Sequence, residues 1–397
     1  MYYKQVNKTK TTPLFIILVF CFCACSGSKN NNAAKTVEMG NSQLTILSVD
    51  ELKSSIVTIP LSRIVENCEL VQLESAEDAM FKPWYTTVSE KYIGIRQPEK
   101  RPYKLFNRSG KFLSSVGSAG QGPGEYIATP NDDIIDDEND LIYLAPSYGN
   151  NMNILIYETS GKFVKSVNAP YYMMKPKIFL SDGILSVINM PMEQREGDKI
   201  AVQFDIRTGK VLHELESPAH FLVPYVDVYE IFSTRNISTT FDFYLTSSDT
   251  LYHYDVKNNQ ILPVFTAQNY SKPELPLSFF LQYVQLNNDL FLTKFVDKDL
   301  LVATDLKNKT SSSIRIVNDY YGNIPIETDV TAFRDGYFVH NIQPEQLRDD
   351  IEKRLAESSC SESDRQMLHK ILPTLIEGAN NVVFIGKLRN EVRERLF

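Results

Sequence analysis

The residue types able to do chemistry are present in this chain, but few stand at spacings that chemistry would use. Five histidines, His213, His220, His253, His340 and His369, could ligate a metal or move protons. No two of them form an H-x-x-x-H or similar pair, so they predict no metal site. The acidic run NDDIIDDENDLIY, from residue 131, offers the several oxygen ligands that calcium takes. Its alternation instead reads as strand, acidic turn, strand. A third candidate is SVGSAGQGPGEYIATP, from residue 115, which could cradle a phosphate if a helix N-terminus came next. The residues after it have the pattern of a strand. Neither a G-x-S-x-G elbow nor a Walker A loop is present, and single Ser, Thr and Lys residues have no local activating partner. The expectation is therefore no catalytic residue, metal or cofactor. Carboxylate pairs for glycoside cleavage are defined by their separation in space, so a carbohydrate-active hydrolase or lyase stays open as the second reading.

The elements that would position any site come from a repeat. Compare LFNRSGKFLSSV at 105, IYETSGKFVKSV at 156, QFDIRTGKVLHEL at 203, YHYDVKNNQILPV at 252 and VATDLKNKTSSSIRIV at 302. Their turns centre on Gly110, Gly161, Gly209, Asn259 and Asn308, at separations of 51, 48, 50 and 49 residues. Each copy is a β-hairpin. Asn107, Glu158, Asp205, Asp255 and Asp305 can hydrogen-bond the turn backbone, and Gly or Asn takes the positive φ. A second hairpin precedes most copies. Two hairpins per repeat make a four-stranded meander, and radial repetition of meanders makes a β-propeller.

Six blades are counted: 80–117, 128–168, 174–216, 228–266, 277–317 and 325–390. The sixth lacks an outer strand, which CELVQLES at 68 can supply, closing the ring without a free edge. Residues 344–378 interrupt that blade with two helix-period segments, a Pro start and a Gly stop. The fold class is thus all-β: a six-bladed propeller of four-stranded antiparallel blades, closed by an N-terminal strand, with a helical insertion in the last blade.

Sorting the loops by face separates two chemistries. The hairpin turns of one face are short and mildly basic. The links between blades all lie on the other face, with the helical insertion, and every one holds a Tyr or Pro. Tyr and Trp give large amphipathic contact area at low entropic cost, and their flat rings stack on sugars. The binding candidates are therefore Trp84, Tyr85, Glu125, Tyr126, Tyr171, Tyr172, His220, Tyr225, Tyr270, Tyr320 and Tyr321. Trp84 is the sole tryptophan. The expected ligand is a glycan, a peptide or an envelope protein.

The ends and the charge bound the location. Lys4, Lys8 and Lys10 precede the apolar run PLFIILVFCFCAC, which is short for a permanent span and reads as a signal peptide over residues 1–24. Ala24 before Cys25 resembles a relaxed bacterial lipobox, so Cys25 is expected to carry lipid, with two chains giving stable anchoring. Residues 25–50 read as a flexible tether, and the propeller as residues 51–397. Cys68 and Cys360 fit neither a disulfide framework nor a metal spacing. Net charge is −8 with no basic block, which argues against nucleic acid. A monomer is expected.

IPLSRIVENCELVQLES, LFNRSGKFLSSVGSAGQGPGEY and the late insertion before VVFIGKLR together resemble the six-bladed propeller lipoproteins of Bacteroides-type bacteria, relatives of NHL-repeat propellers. That resemblance implies a cell-envelope location. The tether lacks an acidic run after Cys25, which favours an outer-membrane anchor facing the periplasm.

Overall fold

The computed structural model describes residues 33–40, 42–193, 197–224, 228–268, 281–326 and 332–390. Cys25, Tyr225 and Tyr270 lie outside these residues. Within them, six antiparallel blades succeed one another round a propeller ring. Blade one is Tyr85–Val88, Tyr92–Arg96, Tyr103–Asn107 and Phe112–Val116. Blades two to five open with Pro130–Asp136, Lys177–Ser181, Ile231–Phe232 and Leu281–Gln285. They end in the outer strands Phe163–Ala169, Val211–Glu216, Gln260–Gln268 and Thr310–Asn318.

Local turn chemistry sets the outer hairpins, much as the spacing predicts. Asn107 Oδ1 accepts from the amides of Ser109 and Lys111, both at 3.0 Å. Asp205, Asp255 and Asp305 accept from the amides of Thr208, Asn258 and Asn308 at 2.8, 3.0 and 2.9 Å. Gly110, Gly161, Gly209 and Asn259 take positive φ, but in blade five Lys309 does so instead of Asn308. There Asn308 serves by donating both its amide and its side chain to Asp305.

Packing between blades supplies the core. One apolar cluster occupies each junction, such as Leu105, Val116, Ile142 and Leu155 between blades one and two. Phe179 stacks on Phe241 between blades three and four, and Phe265 on Phe291 between four and five. The cluster between blades five and six extends to two helices, α1 (Pro344–Ala356) and α2 (Glu362–Ile371), through Leu347, Ile351 and Leu368. Ser361 caps α2 by accepting from the Asp364 amide at 3.1 Å.

The N-terminal segment closes the ring. Blade six is Phe333–Arg334, Tyr337–Ile342 and Val382–Lys387, with Glu69–Gln72 as its fourth strand. That strand is antiparallel, with Phe384 opposite Leu70. Asn380 locks the junction, its side chain donating to Glu74 O at 2.6 Å and Ala79 O at 3.0 Å. The expected flexible tether needs correction over part of its length. Ala34–Met39 and Ser42–Ser48 form a hairpin whose second strand runs parallel to Gln260–Gln268 of blade four. Alternation explains it: Thr45 and Leu47 are buried, while Leu44, Ile46 and Ser48, on the other side of the strand, are only half-buried. Ile56–Pro60 likewise adds a parallel strand to blade five. Among the described residues Cys68 and Cys360 are unpaired thiols, and burial pushes the Cys68 thiol up to about 12.

Candidate functional site

Each innermost strand begins on the face that carries the inter-blade links, so its first residues meet round the channel mouth. In blade one the ladder continues one residue early, with the Trp84 amide donating to Arg96 O at 2.9 Å. This presents the Trp84 ring to solvent, 45% exposed. Behind it, the Arg96 guanidinium lies 5.5 Å from the Trp84 ring centroid and 4.4 Å from that of Tyr85. A cation behind both rings holds their tilt.

From Trp84 a groove of about 560 Å³ runs over blades two and three to Glu230 at the start of blade four. Tyr148 and Tyr172 line it beside Thr129, Asn131 and Ser147. Buried Asn189 holds the crossing that carries Tyr172, accepting from the Met174 amide at 2.7 Å and donating to Tyr172 O at 3.0 Å. Tyr148–Gly149 pairs with Met173–Met174, bracing one wall. Lys175 Nζ meets Glu230 Oε1 at 2.5 Å. A larger recess of about 710 Å³ lies on the outer edge of blade five, but the described residues lining it include no aromatic ring.

Beneath the mouth the axis is closed by a buried ion network. Arg235, from blade four, uses all its donors. Nη1 reaches Asp132 Oδ2 at 2.6 Å and Ile178 O at 2.8 Å, Nη2 reaches Asp133 O at 3.0 Å and Asp335 Oδ2 at 3.3 Å, and Nε reaches Asp335 Oδ1 at 2.8 Å. Its own backbone has φ 52°, held by Asp242, which accepts from the Thr234 and Arg235 amides. Arg334 Nε donates to Asp335 Oδ2 at 2.9 Å. Burial alone would raise the Asp132 carboxyl, but Arg235 and the cations around it hold it well below the usual range. Burial pushes the Lys177 ammonium down to about 8, against the pull of Asp132. These carboxylates are engaged, and the cluster they form round Arg235 is structural.

The structure brings Trp84, Tyr85 and Tyr172 together at or beside the mouth and disperses the other described candidates. Tyr126 is 1% exposed and wedged between blades one and two, its hydroxyl donating to Arg101 O at 2.8 Å. Glu125 folds back within its own crossing, Oε2 accepting from the Gly122 amide at 2.8 Å. Gly124, at φ 77°, is required there because a Cβ would stand 2.6 Å from the Phe163 ring. The hydroxyl of Tyr171 donates to Glu214. His220 packs on Phe221. Tyr320 and Tyr321 donate to Val65 O and Cys68 O, both at 3.2 Å, binding the N-terminal segment. His340 lies within the second strand of blade six, beside Phe384. The acidic run forms a hairpin tip whose Asp137 accepts from Ser89 Oγ at 2.7 Å.

Sequence reasoning missed the channel charges. A signal existed: the innermost strands of blades two, three and six carry Asp132, Lys177 and Arg334, and Arg235 follows that of blade four by three residues.

Fold and site define a six-bladed propeller with an aromatic groove at one mouth of a channel closed by ion pairs. The chain belongs to the family described as domain of unknown function DUF4934, whose model matches residues 44–387. No curated protein matches it. Among solved structures it is similar to a Bacteroides fragilis protein described as exported, at 15% identity and a TM-score of 0.57, covering 84% of this chain and 100% of that one. A DUF4221 family member from Bacteroides vulgatus matches at 12% identity and a TM-score of 0.44, over 91% of this chain and 100% of that one. The first likeness shows the fold alone.

Proposed function

We propose that this chain is a non-catalytic, envelope-anchored propeller that binds a glycan in the groove beginning at Trp84. The observation that carries this reading is the exposed Trp84 ring, fixed from behind by Arg96, sharing one groove with Tyr148 and Tyr172. Flat apolar platforms beside hydroxyl and amide groups suit a pyranose, which is apolar on its faces and polar at its edge. The groove volume is that of a small-ligand site. Anchoring rests on the N-terminal pattern ending at Cys25, and a neighbour described as exported supports an envelope location. No helix among the described residues is long and apolar enough to cross a membrane. The anchor is expected on the outer membrane, facing the periplasm, and the protein works as a monomer.

The hydrolase reading is less favoured. Among the described residues lining the groove, Glu230 is the one carboxylate, and it pairs with Lys175. Asp132, behind it, is clamped by Arg235.

The test is glycan-array binding followed by calorimetry. Trp84→Ala should weaken binding by at least about 10-fold, as loss of a central aromatic anchor does, while the melting curve stays unchanged. Undiminished binding by the folded variant sinks the proposal. Palmitate labelling that survives Cys25→Ala would remove the anchor.

A further inference from the structure

We infer that the channel mouth is a subsite for a single carboxylate, so that the glycan bound in the groove carries an acidic sugar. This deepens the proposed function and rests on it for the identity of the ligand. Three pairs of residues, close together along the chain, connect the two spaces. Trp84, Asn131 and Lys175 line the groove, while Tyr85, Asp132 and Lys177 line a small inner cavity beneath. That cavity has about 20 Å³ of free space, room for one water-sized group such as the leading oxygen of a carboxylate and too little for a sugar ring.

Its lining is cationic. Arg96, Lys177 and Arg334 face it, against Asp132, and Asp132 is already committed to Arg235 at 2.6 Å. Arg96 is the telling residue. It is 1% exposed, yet its Nε and Nη2 have no hydrogen-bond acceptor among the described residues. Nη1 reaches Pro130 O only at 3.5 Å, and Asp133 Oδ1 stands 3.4 Å from Nε without a hydrogen bond. Arg334 Nη2 likewise lacks a hydrogen bond, standing 3.5 Å from Asp132 Oδ1. A buried guanidinium with idle donors is costly. Arg235, in the same network, shows that this fold can satisfy an arginine fully when its role is structural. A planar carboxylate would accept from Arg96 in the fork geometry that guanidinium favours, with Lys177 adding charge.

Calorimetry with matched probes tests this: a galacturonic acid trisaccharide against the neutral galactose trisaccharide of the same linkage. The acid should bind at least about 10-fold tighter, the scale of a charge-assisted hydrogen bond. Arg96→Gln should remove that preference, bringing the ratio of the two affinities to about one whatever the loss of support behind Trp84 does to both, and Lys177→Met should shrink it with the neutral sugar's affinity unchanged. Lys177→Met carries the same comparison if Arg96→Gln fails to melt cooperatively. Equal affinities in the unmodified protein, or a preference surviving both changes, overturn the inference and leave the glycan reading standing. If neither sugar binds, the glycan reading falls and the acidic sugar with it. Bromide soaked into crystals gives an arm that needs no sugar. An anomalous peak within hydrogen-bonding distance of Arg96 is expected, and a cavity holding only water overturns the anion subsite.

Discussion

Arg235 Nη1 lies 2.6 Å from Asp132 Oδ2, joining blade four to blade two across the channel axis, with both side chains almost wholly buried. The pair ties together strands separated by 103 positions in the chain. It therefore reports on whether the ring is closed, where a surface ion pair would report little.

Asp132→Asn should cost about 3–5 kcal/mol, because removing one partner of a buried pair leaves the other charge uncompensated. Urea unfolding measures it. Arg235→Met should cost a similar amount, since Asp132 and Asp335 both lose their main cation. Losses under about 1 kcal/mol for both would mean that water reaches the network.

Lys177 makes stability depend on pH in a stated direction. Facing it are Asp132, Arg96, Arg334 and Glu230, and burial outweighs them to give a value of about 8 against an ordinary 10.5. The unfolded chain thus holds this proton more tightly than the folded one between those two values. Stability from this group rises as pH climbs through that window, by up to roughly 3 kcal/mol, and is lost again as pH falls through about 8. The measurement is the unfolding free energy of the protein minus that of Lys177→Met, from pH 7 to 10.5. Parallel curves would refute it. Anion affinity should run the other way, falling above pH 8 as the ammonium is lost.

Tyr126 and Trp84 should separate cleanly. Tyr126→Ala empties a wedge between blades and should cost about 3–5 kcal/mol, with the folded fraction binding ligand at full affinity. Tyr126→Phe removes only the hydrogen bond to Arg101 O, worth about 1 kcal/mol. A binding defect in folded Tyr126→Phe would return this residue to the site.

The architecture was legible because its information is local. Asn107, Asp205 and Asp255 each sit three or four residues before a turn residue, and the same hairpin chemistry recurs at each repeat. Even ring closure could be read, since blade six ran out of strands while Glu69–Gln72 had no partner nearby in sequence. Burial was another matter. Tyr126 and Trp84 both occupy inter-blade links, and only the packing of neighbouring blades decides that one is a wedge and the other a platform. The channel network was least legible. Asp132, Lys177, Arg235 and Arg334 come from four different blades, and nothing short of the closed ring brings them into contact.

The belt formed by Ser42–Ser48, Ile56–Pro60 and Glu69–Gln72 runs over the outer edges of blades four, five and six in turn. A pull on the N-terminal end is therefore not delivered to blade one. It loads Ala34–Met39 against Ser42–Ser48 first and then the parallel pair on blade four, where several hydrogen bonds must shear together. Only after that pair and the next yield can tension reach the strand that closes the ring. The belt is laid out as a mechanical fuse: its outer seams take the load before the seam that keeps the channel shut.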